Sequence, residues 1–446
     1  MMQTEHKKIG IWTSTSLVVG NMIGAGVFLM PSALASFGSI SLIGWFFSAL
    51  GAIVIAKVFA NLSKLIPSSD GGPYAFTKAG LGDFAGFLVG WGYLISVWTT
   101  NAAIAVSLVS ALSTFFPILA QNSSIALAMG LACLWLLTWV NMMGVYASGR
   151  VILMTTILKI VPLVLVAIGG LLFIDLQNLL PFNMSGTSSW QAITATTTLT
   201  FFAFLGIECA TIPSSSIDDP GQNISKATMR GVWIAAAVYI FSTAAIMGMI
   251  PANQLQTSIT PFADAAEKIY GHGAKYWVSA GAAIAAFGAL NGFILVQGQM
   301  PYAMAKDKLF PAFFAQQNRK GVPANGVIVS SIIITLLMFM NNSKNLAGQF
   351  KLLILLSTFF TLLPYLLTTV SYLIVRAIQA ATYTKTKTIT AIAISVLAFS
   401  FSMWMLIGSG QEIVYWGFLM LMMGVPFYVY MAVSYTHLTL PTILRV

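Results

Sequence analysis

Two ionisable side chains sit in stretches that water should not reach. Of the eleven acidic residues, Glu208 alone falls inside an apolar run, and of the twenty-one basic ones only Lys159 lies deep in one. Charged groups in a membrane interior are costly and usually mark function. Removal from water disfavours the charged form of either group, so both are candidates for proton coupling. A purely structural reading stands beside this one. Glu208 would then accept a fixed hydrogen bond, and Lys159 would snorkel or satisfy backbone carbonyls.

Each apolar run that matters also contains glycine where a helix should be smooth. Gly24-Ala25-Gly26 interrupts the run 10–33, and Gly206 interrupts 191–213 within Phe204 to Glu208. Glycine lets the backbone leave helical geometry and approach a ligand closely. A break in the first run frees amide N–H groups, and the helix resuming after Gly26 offers its positive dipole end to a carboxylate. The first half of the other run ends near Ala203 to Gly206, with carbonyls suited to an ammonium. A zwitterion bridging both breaks would satisfy both sets. The alternative is that these glycines only permit close helix packing. Phe201, Phe202 and Phe204 flank the second break.

The elements that must hold these residues follow from composition. The chain has 446 residues, 58% hydrophobic and 7% charged, with mean hydropathy +0.87; soluble domains carry about 25% charged residues. A spanning helix needs about 20 apolar residues. Apolar runs at 10–33, 38–62, 84–113, 122–146, 149–174, 191–213, 229–250, 274–304, 322–341, 351–376, 388–408 and 413–433 predict about twelve transmembrane helices. Polar punctuation at Pro67 to Gly72, Asp218 to Asn223, Pro251 to Pro261 and Asn341 to Asn345 reads as loops. The continuous runs argue against a β-barrel, whose strands alternate over about ten residues. The breaks lie in the first and sixth runs, where two inverted five-helix repeats would place corresponding members, and paired broken helices point to a transporter's binding site.

Charge supplies orientation. Lys7, Lys8, Arg150, Lys226, Arg230, Arg319 and Lys320 share the side of the N-terminus, whereas Lys268, Lys275, Lys344 and Lys351 fall on the other. By the positive-inside rule both termini are cytoplasmic and the protein is a multi-pass protein of the inner (plasma) membrane. The net charge of +10 is thereby explained by topology, not by nucleic-acid binding. Trp45, Trp91, Trp190 and Trp416 fit an interfacial aromatic belt. Cys133 and Cys209 lie in apolar runs and read as inert thiols. No cofactor or metal motif, P-loop, HExxH or paired carboxylates are present, so neither a membrane-embedded enzyme nor an ATP-driven pump is expected. A non-transporting substrate sensor is the remaining rival from another class.

The segments NMIGAGVF (21–28), GGPY (71–74), FLGIE (204–208) and AIMGMIP (245–251) resemble the amino acid–polyamine–organocation superfamily of transporters, nearest its bacterial basic amino acid and polyamine antiporters. The resemblance covers nearly the whole chain. It implies a secondary active transporter of amino acids or amines that works by alternating access. The expected fold is all-α polytopic, with a five-plus-five inverted repeat (about 10–174 and 191–376), broken helices 1 and 6, helices 11 and 12 outside the core (388–433), and frequent pairing into a homodimer. The substrate carboxylate is implied to meet the backbone at Ile23, Gly24, Ala25 and Gly26, and the amine the carbonyls from Phe202 to Ile207. Ser96, Asn101, Phe293 and Ser357 match the side-chain pocket, and Phe202 the lid. Tyr93 and Tyr365, with Tyr74 and Phe87, match gating positions, and Glu208 matches a proton-sensitive acid.

Two departures from that branch bear on substrate and coupling. The arginine/agmatine antiporters of that branch have tryptophans where this chain has Phe202 and Phe293; phenylalanine has a weaker cation–π face and no indole donor, which weighs against arginine. Lys159 replaces a small apolar residue, as in proton-coupled relatives, and resembles a built-in substitute for the sodium ion of sodium-coupled ones. The reading is therefore proton coupling or plain exchange; the alternative is an electrogenic antiporter of a basic amino acid against its decarboxylated amine or a polyamine. The segment 434–446 shifts abruptly in composition, resembles read-through, and is assigned no function.

Overall fold

The computed structural model describes residues 9–24, 26–67, 70–340, 346–378 and 385–443, with side chains described throughout except at 145–153, 216, 347, 385–386 and 434–443. Among these residues the regular elements are helices, joined by a single isolated bridge between Ile9 and Ile217.

Among the described residues the long helices form twelve spans. They are span 1 (Ile11–Met22 and Gly26–Ala35), span 2 (Ser41–Leu65), span 3 (Asp83–Leu112), span 4 (Ser123–Met142), span 5 (Val145–Leu171) and span 6 (Ser189–Thr211). Then follow span 7 (Pro220–Met249), span 8 (Ala274–Lys306), span 9 (Ala324–Met340), span 10 (Leu346–Ile378), span 11 (Lys385–Gly408) and span 12 (Gln411–Met422 and Gly424–Ile443). Eleven of these are long and apolar enough to cross a membrane by themselves. Span 9 has 17 residues, about 26 Å at 1.5 Å per residue, just short of the hydrocarbon thickness.

Several boundaries differ from the sequence-based expectation. Span 7 opens at Pro220, inside the segment read as a loop, because proline at the first helical position has no N–H to leave unpaired and a preset φ. The loop from Pro251 holds a short helix, Ala252–Thr257. The last helix runs past Val433 to Ile443. The expected loop at 341–345 lies outside the described residues.

Packing repeats with a period of five spans. Span 3 lies against span 10 as span 8 lies against span 5, and span 2 lies against span 6 as span 7 lies against span 1; spans 3 and 8, and spans 2 and 7, pair with each other. The connections repeat too. Between spans 2 and 3, the helix Pro73–Leu81 starts on proline and stops at Gly82, φ +84°. Between spans 7 and 8, the helix Pro261–Tyr270 starts on proline and stops at Gly271, φ +88°. The first sits at the face from which span 1 enters, the near face; the second sits at the far face. Spans 11 and 12 present exposed apolar residues such as Trp416, Phe418 and Met423.

Candidate functional site

Both interruptions are at the centre of the protein. The first half of span 1 ends at Met22; Ile23 leaves helical geometry (φ −76°, ψ 72°), and the helix resumes at Gly26. Ala25 lies outside the described residues. Span 6 tightens into a 3-10 turn at Phe202–Phe204, extends at Leu205 (ψ 136°) and turns at Gly206, whose φ of +108° suits only glycine. The two breaks touch: a Cβ on Gly206 would lie 3.1 Å from Asn21 Cβ and 3.3 Å from the Met22 nitrogen. Irregular backbone at membrane depth is tolerated when buried in protein, and that is the case here.

Each break is served by one of the two buried ionisable residues. Among the described residues, Lys159 and Glu208 are the only Asp, Glu, Lys or Arg side chains fully buried. At span 1 the Gly24 amide bonds to the Met22 carbonyl at 2.8 Å, not back to Gly20. The Gly20 carbonyl, at the negative end of the half-helix, instead accepts from Lys159 Nζ at 2.5 Å. Just beyond the span 6 break, Glu208 accepts from the Tyr93 hydroxyl at 2.5 Å on Oε1 and from the Tyr365 hydroxyl on Oε2. Spans 3, 6 and 10 thus meet on one carboxyl group.

The remaining pocket residues are brought together, mostly in hydrogen bonds of their own. Ser96 pairs with Thr361, and Ser357 with Thr100, a hydroxyl ladder between spans 3 and 10. Asn101 donates to Gln297 of span 8 at 2.7 Å. Phe293 lies one turn before Gln297 and is buried. Phe202 covers the start of the second half of span 1, where a Cβ on Gly26 would come within 2.7 Å of its ring. Ile207 is fully buried beside the break. The span 6 carbonyls also carry bonds of their own. Those of Phe202, Ala203 and Gly206 accept from the Leu205 amide, the Tyr239 hydroxyl and the Cys209 amide, each at 3.0 Å, because a buried carbonyl without a partner is costly.

The centre is closed towards both faces. At the near face, the Gly71 amide bonds to the Ile212 carbonyl at 3.0 Å, and Asp70 accepts from the Ser215 amide and hydroxyl. At the far face, Phe262 packs edge-on against Phe28 with centroids 5.1 Å apart, and Ser110 donates to the Ile259 carbonyl at 2.6 Å.

The sequence is matched by known proteins over almost its whole length. Residues 9–434 match the family model described as amino acid permease. The chain belongs to the amino acid permease family. The permease is 34% identical over 365 residues to the cadaverine/lysine antiporter of Escherichia coli K12, covering 80% of this chain and 82% of the relative. It is 30% identical over 397 residues to the arginine/ornithine antiporter of Pseudomonas aeruginosa, covering 86% and 82%. A solved outward-open, substrate-bound structure of a Na+-coupled sialic acid symporter shares the fold, with TM-score 0.58 at 12% identity, covering 90% of this chain and 89% of that one. The permease is a multi-pass membrane transporter of small molecules, not an enzyme.

Away from the centre, two residues expected to gate, Tyr74 and Phe87, lie in different surroundings. Tyr74 donates to Asp307 Oδ2 at 2.7 Å, and Lys78 Nζ reaches the same oxygen at 2.8 Å. Burial, followed by that carboxylate, pushes the Tyr74 phenol well above its ordinary pKa. Phe87 instead stacks on Trp91 and Phe427, joining span 3 to span 12. Trp45 is not interfacial. It is fully buried, 5.2 Å from Tyr239 and 6.1 Å from Phe204, propping the broken helix from behind. Asp307 and Gln297 were missed from sequence; Gln297 had a signal, a long amide one helical turn from Phe293.

Proposed function

We propose that the permease is an alternating-access exchanger of a basic amino acid against its amine or a second amino acid. The observation that carries this reading is the meeting of two broken helices at Asn21 and Gly206, sealed towards both faces. A bound zwitterion would place its carboxylate at Gly24 to Gly26 and its amine near Ile207, under the Phe202 ring. Two five-span repeats, as the repeating packing suggests, would rock about this point. The antiporter activity named for both relatives supports exchange over symport.

Lys159 and Glu208 serve proton coupling in this reading, because each ties one broken helix to the surrounding spans through its ionisable group. Tyr93 and Tyr365 form the gate on Glu208. The lysine and arginine bias assigns the near face and both termini to the cytoplasm of an inner-membrane protein. The exposed apolar side chains of spans 11 and 12 face lipid or, in a homodimer, a second copy.

The test is labelled-substrate uptake into liposomes holding purified protein, either empty with an inward proton gradient or preloaded with lysine or cadaverine at equal pH. Exchange requires uptake only after preloading. Glu208→Gln should slow that exchange at least about tenfold, since hydrogen bonds to a charged group are worth about 1.5–3 kcal/mol, while leaving substrate binding measurable. Gradient-driven uptake into empty vesicles, equal to that into preloaded ones, overturns exchange in favour of proton symport.

A further inference from the structure

A chain of hydrogen bonds fixes which end of the Asn101 amide is free. The argument starts at the Val327 carbonyl, which can only accept. Gln297 Nε2 donates to it at 3.1 Å and to the Ser331 hydroxyl at 2.9 Å. That hydroxyl is itself paired with Thr138 at 2.7 Å. Gln297 must therefore turn its Oε1, an acceptor without protons, towards span 3. Asn101 meets it with Nδ2 at 2.7 Å, the only part of its amide that donates. The Asn101 Oδ1 is left over. It is buried and has no hydrogen-bond partner among the described residues, as is true of a few other buried atoms such as Asn141 Oδ1; each such atom calls for a reason.

The place of this oxygen supplies the reason. Gln297 and Phe293 are four residues apart on span 8 and share a face of the helix. Asn101 is tied to that face of span 8 through its bond to Gln297. The unpaired oxygen therefore belongs to the group of side chains that the site reading assigns to the substrate's side chain.

We propose that Gln297 is a positioning residue that locks the Asn101 amide with its carbonyl oxygen free for the substrate, so that the pocket selects amino acids carrying a hydrogen-bond donor, such as an ammonium group, at the far end of the side chain. The inference rests on the proposed site and deepens it. Without the lock, the Asn101 amide rotates freely, and the donor preference is lost although Asn101 remains. An apolar side chain of equal length meets no partner at the oxygen in either case, so its binding does not depend on the lock.

The experiment compares lysine with norleucine, which has the same backbone groups but a hydrocarbon end, by competition against labelled exchange and by thermal stabilisation of the purified full-length protein. Wild type should prefer lysine by about ten- to a hundredfold. Gln297→Met should bring this ratio close to one while leaving the norleucine value unchanged. Gln297→Ala removes the lock without filling its space and reads the same ratio should the methionine variant not fold. A preference retained in Gln297→Met and Gln297→Ala but lost in Asn101→Leu overturns the role of Gln297 and leaves the site intact. A preference retained in Asn101→Leu as well overturns the site reading itself. No preference in wild type overturns the donor selection.

Discussion

Lys159 Nζ bonds to the Gly20 carbonyl at 2.5 Å, so a side chain of span 5 closes the open end of the first half of span 1. A neutral amine donates less strongly than an ammonium group, so this tie weakens when the lysine loses its proton. Under the proposed coupling, the position of span 1 would then depend on that proton.

The first prediction follows from that contact. Lys159→Ala should abolish the pH dependence of exchange across the neutral range while substrate binding stays measurable by thermal shift. Leaving the Gly20 carbonyl without its partner should cost about 1–3 kcal/mol of stability. Unchanged pH dependence in a folded variant would remove Lys159 from the coupling mechanism.

The second concerns the lid. A methyl group at position 26 would lie 2.7 Å from the Phe202 ring, closer than van der Waals contact permits. Gly26→Ala should therefore hold the lid off the site and weaken substrate binding about tenfold or more, as overpacking costs of about 1–3 kcal/mol imply. Adding Phe202→Leu should recover part of the loss, because the smaller side chain vacates that space. Measured affinities for the two single variants and the double variant would show it; strictly additive losses would mean that the ring and the break do not act on each other.

The third concerns closure of the near face. Asp307 holds both Tyr74 and Lys78 from the end of span 8, and Cys209 is fully buried behind that closure, at the span 6 break. In a Cys133→Ser background, Asp307→Asn should raise alkylation of Cys209 by a membrane-permeant thiol reagent several-fold. High salt should reproduce part of the effect in the parent, since the Lys78 pair is partly exposed and screened. Alkylation rates unaffected by both changes would show that this contact does not hold the site shut.

Twelve spans and the two interrupted ones were legible in the sequence for a simple reason. A helix in hydrocarbon must be apolar along about 20 residues, so Gly24 to Gly26, Glu208 and Lys159 stand out against an otherwise uniform background. Span 7 begins ahead of its apolar run because Pro220 opens the helix, and nothing in hydropathy marks that polar first turn. The residue type of Trp45 suggests the interface, whereas its partners Phe204 and Tyr239 come from spans far along the chain.

Hydropathy and motif spacing, which are properties of neighbouring residues, determined by themselves that this chain crosses a membrane about twelve times and breaks twice. Only the tertiary structure decided which groups those breaks meet. Lys159 reaches Gly20 across 139 positions and Tyr365 reaches Glu208 across 157. The orientation of Asn101 is set by a carbonyl on span 9, through Gln297 on span 8. Hydrogen bonds depend on direction and on distances within a few tenths of an ångström, and no pattern along a single strand of sequence carries that information.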